Sequence, residues 1–270
     1  MKLSGKTVAV TGGGNGIGRE LVLELLRRGA RAAALDISQE GLDETKRLAG
    51  DAADRLSTHA VNIADRAAVE ALPDAILAEH GQIDGVINCA GIIQPFVKVK
   101  DLDYAAIERV MNVNFWGVVH VTKTFLPHLL ARPEAHVVNI SSMGGFVPVP
   151  GQTIYGASKA AVKLFTEGLR SELADTGVRV TVVFPGAVAT DITKNSGVEV
   201  ANAQAASEQA KSFPTTSPTD AARIILDGME ADAYRVLVGK DAKMMDRLSR
   251  LSPEKAADII YKQMKSLLAD

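Results

Sequence analysis

A doubly wound α/β fold, with a predominantly seven-stranded parallel sheet and helices on both faces, is what this sequence predicts. Three observations carry the prediction. Short apolar runs alternate with amphipathic stretches along the 270 residues, the pattern of repeated βαβ units. A glycine-rich turn, Gly12-Gly13-Gly14-Asn15-Gly16-Ile17-Gly18, separates the first apolar run from the first amphipathic one. No Pro/Gly/Ser-rich linker and no internal repeat divides the chain. Residues 1–239 therefore read as one domain, and 240–270 as a helical extension that packs on the same domain or on a neighbouring subunit.

The elements follow in order. Thr7–Val10 is the first strand; the helix after it places Ile17, Leu21, Val22, Leu25 and Leu26 on one face and stops at Gly29. Ala32–Leu35 is the second strand, closed by Asp36, and Ser38 caps the next helix. Thr58–Asn62 is the third strand, with Asp65 as the following cap, and Gly85–Asn88 is the fourth. Residues 103–132 read as helix in two pieces, His136–Ile140 as the fifth strand, and 154–174 as one long helix. Val180–Phe184 is the sixth strand, stopped by Pro185-Gly186. The weak periodicity of 187–217 predicts a mobile loop or short helices. Ser217-Pro218 opens another helix, and Val236–Val238 is the last strand. The tail carries two apolar stripes: Met244, Leu248, Leu251, then Ile260, Met264, Leu267 and Leu268.

Composition narrows the function classes. The chain is 47% hydrophobic and 23% charged with a formal charge of −2, which fits a soluble globular protein and excludes a disordered or fibrous one. No block of like charge builds the field that nucleic acid or an anionic membrane needs, so neither is an expected partner. Cys89 is the single cysteine, so no internal disulfide forms, and a reducing cytoplasmic location is expected. The five histidines are scattered without metal-ligand spacing, and no metal is expected. Met1–Lys6 runs straight into a strand, leaving no room for a signal peptide. The longest stretch without Asp, Glu, Lys or Arg, 135–158, is broken by Asn139, Ser141, Ser142, Pro148, Pro150 and Gln152. A membrane helix would not be interrupted in this way.

A strand, a glycine-rich turn and a helix start together make an anion site, because free backbone N–H groups and the positive helix end face a phosphate. Gly12 permits the tight turn, Gly16 lets backbone approach a pyrophosphate, and Gly18 lets the helix lie close to the sheet. Asp36, closing the second strand, stands where a carboxylate accepts from both hydroxyls of an adenosine ribose and repels a 2′-phosphate. Neither Asn15 nor Ile37 supplies the cation that such a phosphate needs. The cofactor expected is NAD rather than NADP. Tyr155 and Lys159 share a helix face at i and i+4, so the ammonium lies beside the phenol and is expected to lower its pKa.

With Ser142 thirteen residues before Tyr155 at the end of a strand, this set resembles the short-chain dehydrogenase/reductase family. Asn88-Cys89-Ala90-Gly91 is similar to that family's N-N-A-G, Asn114 to its catalytic asparagine, and Pro185-Gly186-Ala187-Val188-Ala189-Thr190 to its P-G-x-V-x-T. The resemblance runs from residue 5 to about 239 and implies a Rossmann-type fold and a nicotinamide-dependent oxidoreductase acting on an alcohol or ketone. It implies that Ser142 binds the reacting oxygen and Tyr155 carries the proton. Lys159 would hold the nicotinamide ribose, and Asn114 would pin a water that links Lys159 to solvent. It also implies cofactor contacts at Gly12, Asn15, Gly16, Ile17, Gly18, Asp36, Asn62, Ile63, Asn88, Ala90, Gly91, Tyr155, Lys159, Pro185, Gly186, Val188 and Thr190. An NADPH-dependent carbonyl reductase and a non-catalytic dinucleotide sensor are the competing readings; the sensor would need the tyrosine or lysine to be lost, and both are present.

Two departures stand out. Cys89 replaces an asparagine and reads as a small buried apolar group; Asn62 stands where many members place an aspartate near the adenine. Ile92, Ile93, Phe96, Met143, Phe146, Val147 and Val149 are candidates for an apolar substrate pocket. The family's usual dimer or tetramer implies a homo-oligomer, for which Phe115, Trp116, Val119, Phe125, Phe165 and Leu169 are the exposed-side candidates.

Overall fold

The computed structural model describes residues 1–198 and 215–268. Seven strands form one sheet in the order β3-β2-β1-β4-β5-β6-β7, and every neighbouring pair is parallel. They are β1 (Thr7–Thr11), β2 (Arg31–Asp36), β3 (Leu56–Ala60), β4 (Gly85–Asn88), β5 (Ala135–Ile140), β6 (Val178–Pro185) and β7 (Arg235–Val238). The order reverses between β1 and β4. That reversal opens a crevice at the carboxyl ends of the strands, where ligands of such sheets bind.

Alternating side chains feed two cores. Val8 and Val10 of β1 point to one face, under α1 (Gly16–Arg27) and α9 (Pro218–Glu230), with Leu21, Leu25, Ile225 and Met229. Ala9 points to the other face, which holds Ile76, Phe125, Leu129 and Leu169. The helices there are α4 (Leu72–His80), α6 (Gly117–Leu130) and α7 (Thr153–Glu172). The remaining helices are α2 (Gln39–Ala49), α3 (Arg66–Glu70), α5 (Tyr104–Met111), α8 (Ile192–Asn195), α10 (Lys240–Leu251) and α11 (Pro253–Met264). Ser38 and Asp65 cap α2 and α3 as the sequence predicts, accepting from Gly41 and from Ala67 and Ala68.

Several boundaries differ from the sequence reading. β3 starts two residues earlier and stops at Ala60 rather than Asn62. The Val61 N–H donates to the Asp36 carbonyl, and Asn62 Oδ1 then accepts from Ala64 N at 3.0 Å, turning the chain out of the sheet. Between α5 and α6 the two helical pieces are joined by a π turn, Asn112–Trp116. Such turns are rare and often mark functional positions; this one carries Asn114. Of the span 187–217, Ile192–Asn195 is helical, and residues 199–214 lie outside the described residues. Among the described residues no helix is long and apolar enough to cross a membrane. Phe125 and Leu169, expected on the outside, are buried in their own subunit's core, because α6 and α7 turn these positions onto the sheet.

Candidate active site

A cleft of about 860 Å³ lies along the carboxyl ends of β1 through β6. Its walls come from the turns after each strand, so residues far apart in sequence meet there. Gly12, Asn15, Gly16, Ile17 and Gly18 follow β1, Asp36 closes β2, and Asn62 and Ile63 follow β3. Ala90 and Gly91 follow β4, Ser142 follows β5, and Pro185, Gly186, Val188 and Thr190 end and follow β6. Tyr155 and Lys159 enter from α7.

The α1 start is an anion site by construction. Its N-cap, Asn15, makes no side-chain capping bond, which leaves first-turn N–H donors for a ligand. Gly12 has φ +73°, and a Cβ on it would press on the Ala90 backbone at 3.0 Å, so the turn and the β4 exit close on one another. Thr11 Oγ1 accepts from both Cys89 N and Ala90 N at 3.0 Å and locks that closure. Asp36 is 9% exposed. Its Oδ2 accepts from Gly14 N and its Oδ1 from Ser38 N, each at 2.9 Å. Two backbone donors thus hold the carboxylate at the cleft wall, with lone pairs left for a hydroxyl donor.

At the other end, Ser142 Oγ accepts from Gly144 N at 3.0 Å and lies close enough to the Tyr155 phenol to lower its pKa. Lys159 Nζ lies 5.9 Å from the Tyr155 ring centre and donates to the Ile140 carbonyl at 3.0 Å. Burial pushes the Tyr155 phenol up, opposed in part by the Ser142 hydroxyl, and pushes the Lys159 ammonium down to about 8. The expectation that Lys159 lowers the phenol's pKa is not met in this structure. Burial is the largest cause for both groups, because the interior penalises ionisation. Cys89 lines the cleft, and burial pushes its thiol up to about 12. Its thiol stays protonated, but Cys89 is partly buried at the cleft wall rather than fully buried as the sequence predicts.

Asn88 and Asn114 do not line the cleft. The Asn88 amide donates to Thr122 Oγ1 at 3.1 Å and Asn139 Oδ1 at 2.7 Å, knitting β4 to β5 and α6 beneath the site. Asn114 Nδ2 donates to the Ile92 carbonyl and to Ser158 Oγ, and its Oδ1 accepts from Ile92 N. A Cβ added to Gly91 would stand 3.1 Å from Lys159 Nζ and 3.3 Å from Asn114 Oδ1, so Asn114 and Lys159 flank the same glycine. Sequence reasoning missed Gln94. This buried side chain accepts from Ile154 N at 2.8 Å and Tyr155 N at 3.0 Å, capping the helix that carries Tyr155. Its signal was a long-range one that no local spacing displays. Arg109 and Glu108 also enter the wall unannounced, on an ordinary amphipathic helix.

The substrate-pocket candidates divide. Ile92 and Ile93 line the cleft, whereas Phe96, Met143, Phe146, Val147 and Val149 are not among its lining residues. Val147 is buried with Met245, Ala256 and Ile260 of α10 and α11; Met143, Phe146, Val149, Leu248 and Met264 surround them. The tail therefore packs on its own subunit, over the loop that follows Ser142. Of its first stripe, Met244 and Leu251 are exposed, and Met245 faces inward instead. Asp246, bonded to Arg235 at 2.8 Å, sets that helix phase.

Comparison with known proteins matches residues 6–201 to the short chain dehydrogenase family. The oxidoreductase SadH of Mycobacterium tuberculosis is 40% identical over 253 residues, covering 92% of this chain and 91% of its own. A short chain dehydrogenase/reductase from Burkholderia phymatum in complex with NAD superposes with a TM-score of 0.85 at 25% identity, over 94% of this chain and 96% of that one. A Burkholderia cenocepacia short chain dehydrogenase in complex with NADP gives 0.78 at 27%, over 96% and 99%. The fold and the cleft define an oxidoreductase acting on CH–OH or carbonyl groups. The chain belongs to the short-chain dehydrogenase/reductase family.

Proposed function

We propose that this protein is an NAD-dependent oxidoreductase that moves a hydride between an alcohol or ketone and the cofactor, using Ser142, Tyr155, Lys159 and Asn114. The observation that carries the reading is their juxtaposition: Ser142, Tyr155 and Lys159 line the same cleft as the uncapped α1 start and Asp36. A bound nicotinamide supplies the hydride acceptor or donor. Ser142 Oγ orients the reacting oxygen, and the Tyr155 hydroxyl takes the alcohol proton in oxidation or returns it in reduction. Lys159 supports the phenolate by its charge, and Asn114, across Gly91, holds the water that relays the proton outward. Gln94, by capping α7, fixes where Tyr155 starts. Ile92, Ile93 and Ile192 at the wall suit an apolar small-molecule substrate.

NAD is preferred over NADP on charge. Asp36 would face the 2′-phosphate, and Ile37 and Ser38 beside it offer no cation. Arg19, the cation that follows the turn, is committed to the carbonyls of Gly14 and Gly41 and to Thr45 Oγ1. The NADP-bound relative makes the point worth testing. Asp36→Ala is expected to weaken NAD and admit NADP, each by about 1–3 kcal/mol, from lost ribose bonds and relieved repulsion. Titrating both cofactors against wild type and variant decides it; unchanged affinities would remove Asp36 from the ribose.

Self-association carries over as part of the proposal. Trp116 and Leu164, on the π turn and α7, are 49% and 68% exposed, and Phe115 and Phe165 pack edge to face beneath them at 6.3 Å. Such an apolar face suits a symmetric homodimer or homotetramer. Sedimentation velocity should show the oligomer, and Trp116→Glu with Leu164→Glu should dissociate it; a wild-type monomer would reject this.

A further inference from the structure

We infer that Asp241, on the C-terminal extension, positions the segment Gly186–Thr190 and so sets the grip of the cleft on the nicotinamide half of the cofactor. Sequence reading passed over this residue because the dinucleotide motifs all lie upstream of it. In the structure it leaves the first turn of α10 and reaches back beneath the turn that ends β6. Its Oδ2 accepts from Ala187 N at 2.7 Å, and its Oδ1 is buried with no hydrogen-bond partner among the described residues. The two glycines on either side record how closely it fits. A Cβ on Gly186 or on Gly239 would overlap the Asp241 carboxylate, so both positions yield space to that one side chain. Gly239 also has φ +100°, which brings α10 off β7 at the angle that aims Asp241 at Ala187.

The segment has few other holds. Gly186 N donates to the Val238 carbonyl, Thr216 N to the Ala187 carbonyl, and Ala189 N to the Thr216 carbonyl. These backbone bonds leave the Ala187 N–H to Asp241, and a charged acceptor makes that bond roughly twice as strong as a neutral one. Downstream on the same segment, Val188 and Thr190 line the cleft, and Thr190 faces the glycine turn: a Cβ on Gly16 would sit 3.5 Å from its Cγ2. β6 lies next to β5, which leads into Ser142, and four strands from β2, which carries Asp36, so a shift at Ala187 moves the wall at the reacting end of the cleft and leaves the adenosine-ribose end in place. The same extension packs under Val147, so it braces the loop after Ser142 and the loop after β6 together.

This role rests on the cofactor reading above, and the test separates the two. NADH and ADP-ribose share the adenosine, pyrophosphate and second ribose, and only NADH carries the nicotinamide. Asp241→Ala is expected to weaken NADH about tenfold, the scale of one charge-assisted bond, and to leave ADP-ribose within about twofold, both read by calorimetry. Asp241→Asn keeps an acceptor oxygen and should hold NADH within about threefold of wild type. Loss of both ligands to the same extent in Asp241→Ala, or of neither, would overturn the role and leave the cofactor reading standing. A wild type that binds neither ligand would overturn both.

Discussion

Replacing Tyr155 by phenylalanine is expected to cut turnover by at least ~10²-fold while leaving NADH affinity unchanged. The substitution deletes one oxygen and keeps the ring, so the packing around Lys159 Nζ, 5.9 Å from the ring centre, is retained. What is lost is the hydroxyl beside Ser142, the group proposed to exchange a proton with the reacting oxygen. Lys159→Ala should harm both turnover and cofactor binding, because the same ammonium is proposed to serve the phenol and the ribose. The pH profile adds a sign. Oxidation requires Tyr155 to accept a proton, so its rate should climb with pH. Burial holds the phenol above its ordinary value and the ammonium down to about 8, so the rising limb should lie on the alkaline side. Removing the positive charge disfavours the phenolate, and Lys159→Ala should move that limb to more alkaline pH. Stopped-flow turnover across pH measures both effects. A phenylalanine variant with near wild-type turnover would remove Tyr155 from the chemistry.

The pair also shows where sequence reasoning reaches its limit. That Tyr155 and Lys159 share a helix face follows from i, i+4 geometry, and the structure keeps it. The sign of their pKa shifts does not follow, because it depends on how β5, the π turn and the loop after Ser142 close over them. The strands and the glycine turn were legible for a related reason: each is specified by a run of neighbours, Val8 to Val10 or Gly12 to Gly18. Contacts made by single residues across the fold were not. Gln94 caps α7 from sixty residues upstream, and Asp241 reaches Ala187 from fifty-four residues downstream. Met143, Phe146 and Val149 read as pocket residues because they are apolar and follow Ser142. They pack instead against the tail, whose helix phase is set by Asp246 and Arg235. Phe125 and Leu169 were misplaced for the opposite reason. A helix packed on a sheet buries a wider stripe than a strict count of one face allows.

Gly18→Ala should be the most damaging single methyl in the chain, lowering stability by about 3 kcal/mol and NADH affinity by at least ~10²-fold. Gly18 lies in the first turn of α1, and a Cβ there would overlap the Gly12 carbonyl. Both sides of that contact are backbone, so no side chain can rotate away. Gly12 cannot retreat either. Its φ is +73°, and the face that a Cβ would occupy lies 3.0 Å from Ala90, which is itself tied to Thr11 Oγ1. Relief must come from lifting the start of α1 off the turn, and that start carries the uncapped N–H groups proposed to hold the pyrophosphate. Stability and binding should therefore fail together. Gly168→Ala is the matched control. Gly168 has nothing within 4 Å of an added Cβ, and in the Trp116→Glu, Leu164→Glu background, where its face of α7 meets no partner, alanine there should stabilise by about 0.5–1 kcal/mol. Urea denaturation and NADH titration of the two variants measure the contrast. A Gly18→Ala protein with the stability and NADH affinity of wild type would show that the glycine turn is not the phosphate site.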